Sequence, residues 1–132
     1  MNSSKGFLVA VGLFPASVVV SFPSAAHHSY AMFDTQKTIT VSGTVTEFQW
    51  TNPHLYIKVL VRDHTTGKDA EWNIEGGGPN SLSREGWSRT SAKPGDKASV
   101  DIHPLRDGSS GGSLVSLTIN GERVGKPRAG GG

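Results

Sequence analysis

The most constraining feature of this chain is a strict alternation of apolar and polar residues with a period of two. Between Thr38 and Val45, alternate positions are apolar or glycine, and the positions between them carry hydroxyl groups. The first set is Ile39, Val41, Gly43 and Val45, and the second is Thr38, Thr40, Ser42, Thr44 and Thr46. Because successive side chains of a strand point to opposite faces, this pattern predicts a half-buried strand and not a helix.

The alternation changes phase after Glu47, where the apolar positions become Phe48 and Trp50. A phase change within a strand requires an extra residue, and Gly43 in mid-strand permits a bend. The sequence therefore predicts one long strand with a bulge or a sharp coil.

Four more segments show the same alternation, separated by turn residues. Their predicted inward residues are Leu55, Ile57, Val59 and Val61 in the second strand (about Leu55 to Arg62), Ala70, Trp72 and Ile74 in the third, Ala98, Val100 and Ile102 in the fourth, and Val115, Leu117 and Ile119 in the fifth. Turns are predicted at His64–Lys68, at Lys93–Asp96 and at the tight pair Asn120–Gly121, after which Glu122–Val124 forms a short return strand.

A glycine-rich connector, Gly76–Gly78, separates the third strand from a short predicted helix over Asn80–Glu85, which Gly86 ends. Three strands, a short helix and two strands are the order of the OB-fold, a small five-stranded Greek-key barrel. With 132 residues there is room for one domain. We therefore predict an all-β, OB-like barrel over residues 38–124, preceded by a leader over 27–37 and followed by a disordered tail over 125–132.

The first 26 residues have the order of a secretory signal peptide. Lys5 precedes an apolar run from Phe7 to Phe22, and small residues follow it. Cleavage after Ala26 would place small residues at both recognition positions, whereas cleavage after Ala25 would place Pro23 at one of them. We expect a periplasmic or secreted protein with no membrane span after cleavage.

Composition excludes several kinds of chemistry. The chain has no cysteine, which excludes disulfides, thiol redox centres and cysteine zinc sites. Loss of Lys5 with the signal peptide leaves a formal charge of +1, which together with export argues against a nucleic-acid partner. No nucleophile-elbow motif or other catalytic set is recognisable, so a binding protein is favoured over an enzyme.

The histidines at the predicted mature N-terminus are the leading candidates for metal binding. If the chain begins at His27, its α-amine and ring can chelate one ion; if it begins at Ala26, His28 is third and permits a square-planar copper site. Both alternatives favour copper(II), which imidazole ligands suit and which heads the divalent affinity order. Two solvated histidines in a flexible leader are the alternative interpretation.

Two further histidines face outward by strand parity. His54 ends the segment WTNPH, and His103 is out of phase with the inward residues of the fourth strand. Either could supply a third metal ligand only if the leader folds back on the barrel; the prediction selects His54 for the metal. The candidate positions for binding another ligand are Trp50, Asn52, Tyr56 and His103.

Three blocks of sequence carry a family resemblance. They are HHSYAMFD (27–34), VSGTVTEFQWTNPHLYIKV (41–59) and GPNSLSREGW (78–87), the last followed by KPGD. The chain resembles the exported bacterial domain of unknown function family 6152. That resemblance implies a secreted or periplasmic β-rich domain and brings no established activity. By analogy it marks His27, His28, Trp50, Asn52, Pro53 and His54 for testing, and it leads us to expect a less glycine-rich connector than Gly76–Gly78.

The resulting hypothesis is an exported β-barrel binding protein that carries copper(II) through His27 and His28, with His54 in support. The alternative is an envelope structural or interaction module that holds an unknown protein or a small ligand without metal. The effect of His27→Ala on metal affinity distinguishes the two.

Overall fold

The alternating segment forms an eleven-residue strand that pairs with strands on both of its sides. The structure, a computed structural model, describes residues 30–126. Its elements are a 3-10 turn (Tyr30–Met32), β1 (Ile39–Gln49), β2 (Tyr56–Arg62), β3 (Asp69–Glu75), α1 (Pro79–Arg84), β4 (Lys97–Pro104), β5 (Gly111–Ile119) and β6 (Glu122–Arg123). The predicted signal peptide, His27, His28 and residues 127–132 lie outside the described residues.

The strands close into a barrel. β1 is antiparallel to β2 and β4, β2 is antiparallel to β3, and β4 is antiparallel to β5. A short parallel pairing of Asn73–Glu75 with Gly111–Ser113 joins β3 to β5 and closes the ring. Five strands in this order, with α1 between β3 and β4, confirm the predicted OB-like fold; β6 adds two residues beside β5.

The predicted irregularity in β1 is a bulge. The register with β2 shifts between Val45 and Glu47, so Thr46 is the extra residue. Val45 is buried, and Phe48 packs against the core from beyond the bulge, as the phase change predicts. At the other end of β1, Ile39 is 37% exposed although it shares the inward phase, because it lies at the first position of the strand.

The prediction for β5 is wrong at Val115. Asp101 pairs with Ser116 but Ile102 pairs with Leu114, so a bulge leaves Val115 without an opposite residue. Leu114 and Leu117 therefore both face the core, and Val115 is half-buried outside it. The phase change gives no sequence signal because Gly111–Ser113, before the bulge, carry no large apolar side chain.

One core fills the barrel. Its buried members are Val41, Val45, Leu55, Ile57, Val59, Ile74, Leu82, Trp87, Ala98, Val100, Ile102, Leu114 and Leu117. Leu82 of α1 covers one end of the barrel, and α1 begins and ends one residue earlier than predicted. Gly86, with φ +92°, follows the helix as expected, and Asn120 and Gly121 take the positive φ values of a tight hairpin turn.

The C-terminal segment is held as far as Lys126. Its backbone N–H donates to the carbonyl of Glu85 at 2.7 Å, and a Cβ on Gly125 would overlap the indole of Trp87. Within residues 30–126, no helix has the length and apolar composition needed to cross a bilayer.

Candidate functional site

The residues before β1 fold back on the barrel. Phe33 forms a β-bridge with Leu105 and is 6% exposed. The N–H of Asp34 donates to the carbonyl of Pro104 at 2.8 Å, and the N–H of Arg106 donates to the carbonyl of Met32 at 2.9 Å. We call Tyr30–Asp34 the strap. The strap is part of the leader, and it lies against the barrel. This is the condition set above for a barrel histidine and the leader to bind the same ion.

Burial of Phe33, rather than charge, fixes the strap. Arg106 donates from Nε to the carbonyl of Ala31 at 3.0 Å, and its Nη1 lies 3.8 Å from Oδ1 of Asp34. Lys37 reaches Oδ2 of the same carboxylate at 3.4 Å. Exposed ion pairs of this kind contribute only about 0–1 kcal/mol each, whereas burying a phenylalanine side chain contributes roughly 1.5–3 kcal/mol.

Four outward residues form a row beneath the strap. The register places Tyr56 of β2 beside Glu75 of β3, then Ser113 of β5, then His103 of β4. Tyr30 of the strap shares a cleft with Ser113 and Glu75. Burial raises the pKa of Tyr56, and the negative charge of Glu75 raises it further. The row is therefore partly shielded from water.

His54 lies at one end of this row with one ring nitrogen engaged. Its Nδ1 is 3.1 Å from the carbonyl oxygen of Gly76 and 3.4 Å from Oε1 of Glu75. Because both neighbours are acceptors, they favour the tautomer of the neutral ring that has its proton on Nδ1 and its lone pair on Nε2. No hydrogen bond reaches Nε2 from residues 30–126. Metal-binding histidines usually show this arrangement, in which a carbonyl or carboxylate orients the ring from behind.

The glycine-rich connector makes this geometry accessible. The N–H of Leu55 donates to Gly77 and the N–H of Gly76 donates to Leu55, so the connector pairs with the entry to β2. A Cβ on Gly76 would lie 3.0 Å from Cδ2 of Leu55, and one on Gly78 would lie 2.9 Å from the carbonyl oxygen of Pro53. Packing against the Leu55 side chain therefore explains glycine at position 76, and close backbone approach explains it at position 78, where the resemblance led us to expect other residues.

His103 has similar geometry but lies too far away to share an ion with His54. Its Nδ1 is 2.7 Å from the carbonyl oxygen of Lys37. Three inter-strand steps separate β2 from β4 around this side of the barrel, which is about 14 Å at 4.8 Å per step. Tyr30 borders the cleft at His54, so the strap begins at the His54 end of the row.

The other predicted ligand-binding residues lie in different surroundings. Trp50 stacks on Phe48 with ring centroids 6.3 Å apart and packs against the core. Asn52 is exposed in the turn before His54, next to a cis bond to Pro53. Tyr56 borders a crevice of about 180 Å³ between the strap and the barrel. The structure thus places Tyr56 and His54 each beside Glu75 and leaves Trp50 with the core.

The described residues alone do not make a metal centre. Within residues 30–126, no three His, Asp or Glu side chains converge in a way that would hold an ion. Any ion at His54 therefore needs ligands from outside this range, and in the sequence His27 and His28 are separated from the strap by one residue.

Sequence reasoning missed two features. Glu75 was not singled out, although its alternation with Ile74 marks it as outward and its register places it beside Tyr56. A groove of about 480 Å³ lies over the middle of β1, lined in part by Arg62, His64 and Lys97. Its signal in the sequence is the row of hydroxyl residues on the outward face of β1.

Comparisons with known proteins identify a family. The model of the family of unknown function DUF6152 matches residues 16–116. No curated protein sequence matches significantly.

Among solved structures, the mitochondrial single-stranded DNA binding protein Rim1 from S. cerevisiae is similar in backbone. One structure of its form 2 has a TM-score of 0.48 at 10% identity, covering 65% of this chain and 95% of that one. A form 1 structure has a TM-score of 0.47 at 12% identity, covering 68% and 97%. The absence of a nucleic-acid partner stays a prediction for this chain.

Proposed function

Because this chain belongs to the family of unknown function DUF6152, whose name assigns no activity, we propose its function from the site: it is an exported β-barrel protein that binds copper(II). The ligands are His27 and His28 of the leader, with His54 of the barrel in support. The protein holds the ion and does not turn over a substrate.

The orientation of His54 is the observation that carries this proposal. Its Nδ1 faces the Gly76 carbonyl and the Glu75 carboxylate, which leaves Nε2 as the donor atom toward the cleft bordered by Tyr30. Three residues of extended chain span at most about 10–11 Å. His27 is three positions before Tyr30 in the sequence, so the chain is long enough to bring it to the cleft that Tyr30 and His54 share.

The donor set favours copper among the common divalent ions. An α-amine and imidazole nitrogens are borderline ligands, and the divalent affinity order places copper(II) above nickel and zinc for a given site. With no cysteine in the chain, a metal that requires thiolate ligands has none here.

The test begins with the full precursor expressed with its own signal. The intact mass of the exported product fixes the mature N-terminus, and titration with copper(II) under paramagnetic resonance counts the nitrogen ligands. We expect one tight copper ion and nitrogen hyperfine lines that disappear in His27→Ala. His54→Ala should weaken binding about 10- to 100-fold if His54 is a ligand, by comparison with the loss from altering a metal-orienting residue.

His64→Ala and His103→Ala are the matched controls. Each removes one imidazole from the described part of the chain, away from the His54 end of the row, so both should leave the titration unchanged. Weak copper binding that none of the four variants alters would overturn the proposal.

The second candidate is a metal-free interaction module of the envelope. It is favoured by the strap surface, where Tyr30 is 72% and Met32 41% exposed beside the 180 Å³ crevice. Exposed apolar side chains next to a crevice are typical of protein contacts. This function predicts that Tyr30→Ala abolishes partner capture while copper affinity is unaffected in every histidine variant.

A further inference from the structure

The barrel opens at the point where β1 and β2 separate. Their pairing ends at Thr44 and Leu60. Beyond this point β1 continues toward Ile39 paired with β4, while β2 continues to Arg62 paired with β3. The separation leaves a groove of about 480 Å³ on the outer surface, within the range of small-molecule sites.

Hydroxyl groups line the floor of this groove. They come from alternate outward positions of three strands: Ser42 and Thr44 of β1, Ser99 of β4 and Thr118 of β5. Ser42 and Ser99 are opposite each other with their oxygens 3.4 Å apart, a weak hydrogen bond that leaves both able to bond a ligand. Leu60, 39% exposed, adds an apolar wall.

The lining of the groove contains two charged side chains, Arg62 and Lys97, and both are positive. Arg62, His64 and Lys97 line it from a strand, a turn and a second strand, and none of the lining residues is acidic. Lys97 donates from Nζ to the hydroxyl of Thr44 at 3.0 Å, and among the described residues no carboxylate forms an ion pair with it. Arg62 faces Asp69 at 3.5 Å, with both side chains exposed.

The remaining nearby carboxylates are engaged elsewhere. Asp63 accepts hydrogen bonds from the backbone N–H groups of Thr65 and Thr66 within the turn. Asp101 accepts from the hydroxyls of Thr40 and Ser116. Neither carboxylate lines the groove, and Lys97 forms no ion pair within residues 30–126.

We propose that this groove is a second binding site, for a small polyhydroxylated molecule that carries an oxyanion. Lys97 and Arg62 bind the anion, the hydroxyls of Thr44, Ser99 and Thr118 bond the ligand hydroxyls, and Leu60 packs against its carbon skeleton. Phosphorylated sugars and sugar acids share this chemistry. Arg62 is six positions after Tyr56 on β2, about 20 Å along the strand, so the groove is distinct from the His54 site.

Nuclear magnetic resonance titration of the isotope-labelled exported protein tests the proposal. The probes are inorganic phosphate, glucose 6-phosphate, glucuronate and uncharged glucose. We expect saturable amide shifts at Gly43, Leu60, Ser99 and Gly121 with at least one charged sugar, weaker shifts with phosphate and none with glucose. The stronger of the two charged sugars identifies the anion as a phosphate ester or a carboxylate.

Lys97→Met keeps the aliphatic stem and removes the charge. It should weaken the charged-sugar interaction about tenfold, as expected for loss of one charge-assisted hydrogen bond, and Lys97→Arg should retain most of it. Lys68→Met, in the neighbouring turn outside the groove lining, is the control and should bind like the unaltered protein. Equal binding by Lys97→Met and Lys68→Met, or no saturable shift with either charged sugar, would overturn the proposal.

Discussion

The backbone spacing around His54 depends on Gly78, a glycine whose φ is not positive. A Cβ on Gly78 would lie 2.9 Å from the carbonyl oxygen of Pro53, a backbone atom that cannot move alone. At Gly77 the nearest atom to an added Cβ is 3.9 Å away. Positions 77 and 78 thus differ in whether they tolerate a methyl group, because only a methyl group at position 78 would meet a backbone atom.

We therefore expect Gly78→Ala to destabilise the protein by about 1–3 kcal/mol through overpacking, and to displace the turn that precedes His54. Gly77→Ala should change the free energy of unfolding by less than about 0.5 kcal/mol. Urea unfolding measures both. Equal stabilities for the two variants would contradict the close approach of residues 53 and 78.

Asp96 is the clearest pH-dependent group in the fold. It is 7% exposed and accepts hydrogen bonds from the backbone N–H and the Nζ of Lys93 and from Nδ2 of Asn120. The side-chain hydrogen bond from Lys93 is the main cause that lowers the pKa of this carboxyl group. A lowered pKa in the folded state stabilises the protein above the unfolded pKa of about 4, and this stabilisation is lost as pH falls through the folded pKa.

Accordingly, Asp96→Asn should lower the Tm at pH 7, and the difference from the unaltered protein should shrink as pH falls below about 4. Thermal unfolding followed by circular dichroism from pH 7 to pH 2 measures this. Asp69→Asn is the control, because the Asp69 carboxylate is exposed and its contact with Arg62 is long, at 3.5 Å. A Tm difference that stays constant across this range would exclude the linkage.

Among the elements, the strap is fixed mainly by one side chain. Phe33 is 6% exposed and Met32, next to it, is 41% exposed. Phe33→Ala should cost about 3 kcal/mol, the lower end for a buried phenylalanine, and should make residues 30–34 more sensitive to proteases. Met32→Ala should leave stability within about 0.5 kcal/mol. Protease sensitivity unchanged in Phe33→Ala would show that backbone hydrogen bonds hold the strap.

The elements also show what local sequence can and cannot predict. The strands and the β1 bulge are predictable because each inward residue is apolar and the change of phase at Phe48 is visible. The bulge at Val115 is hidden by the small residues before it. The strap is not predictable because its fastening depends on one apolar residue, Phe33, whose partner Leu105 is distant in sequence.

The candidate sites, like the elements, are predictable from local sequence only in part. Strand parity is enough to place His54 and His103 outward, since it needs only the local pattern. It does not reveal that Glu75 lies beside Tyr56 or that Lys97 reaches Thr44, because these contacts depend on the register between strands.

The molecule as a whole has one core, to which all five barrel strands and α1 contribute. Small domains of this kind usually unfold without populated intermediates. All three tryptophans report on this core, Trp87 from within it and Trp50 and Trp72 packed against it. We therefore expect urea transitions by tryptophan fluorescence and by far-ultraviolet circular dichroism to coincide. Separated midpoints would show that part of the barrel unfolds independently.

The docking of the strap also has a consequence for biosynthesis. Leu105, to which Phe33 is bridged, is made about 70 residues later, which takes roughly 4–14 s at ordinary rates of translation. Throughout that interval Phe33 is an apolar residue on a growing chain without its final partner, and we expect it to be available to a chaperone that binds unfolded chains. In a chain truncated before Leu105, Phe33 never acquires this partner, so we expect the product of premature termination to keep an exposed apolar residue near its N-terminus.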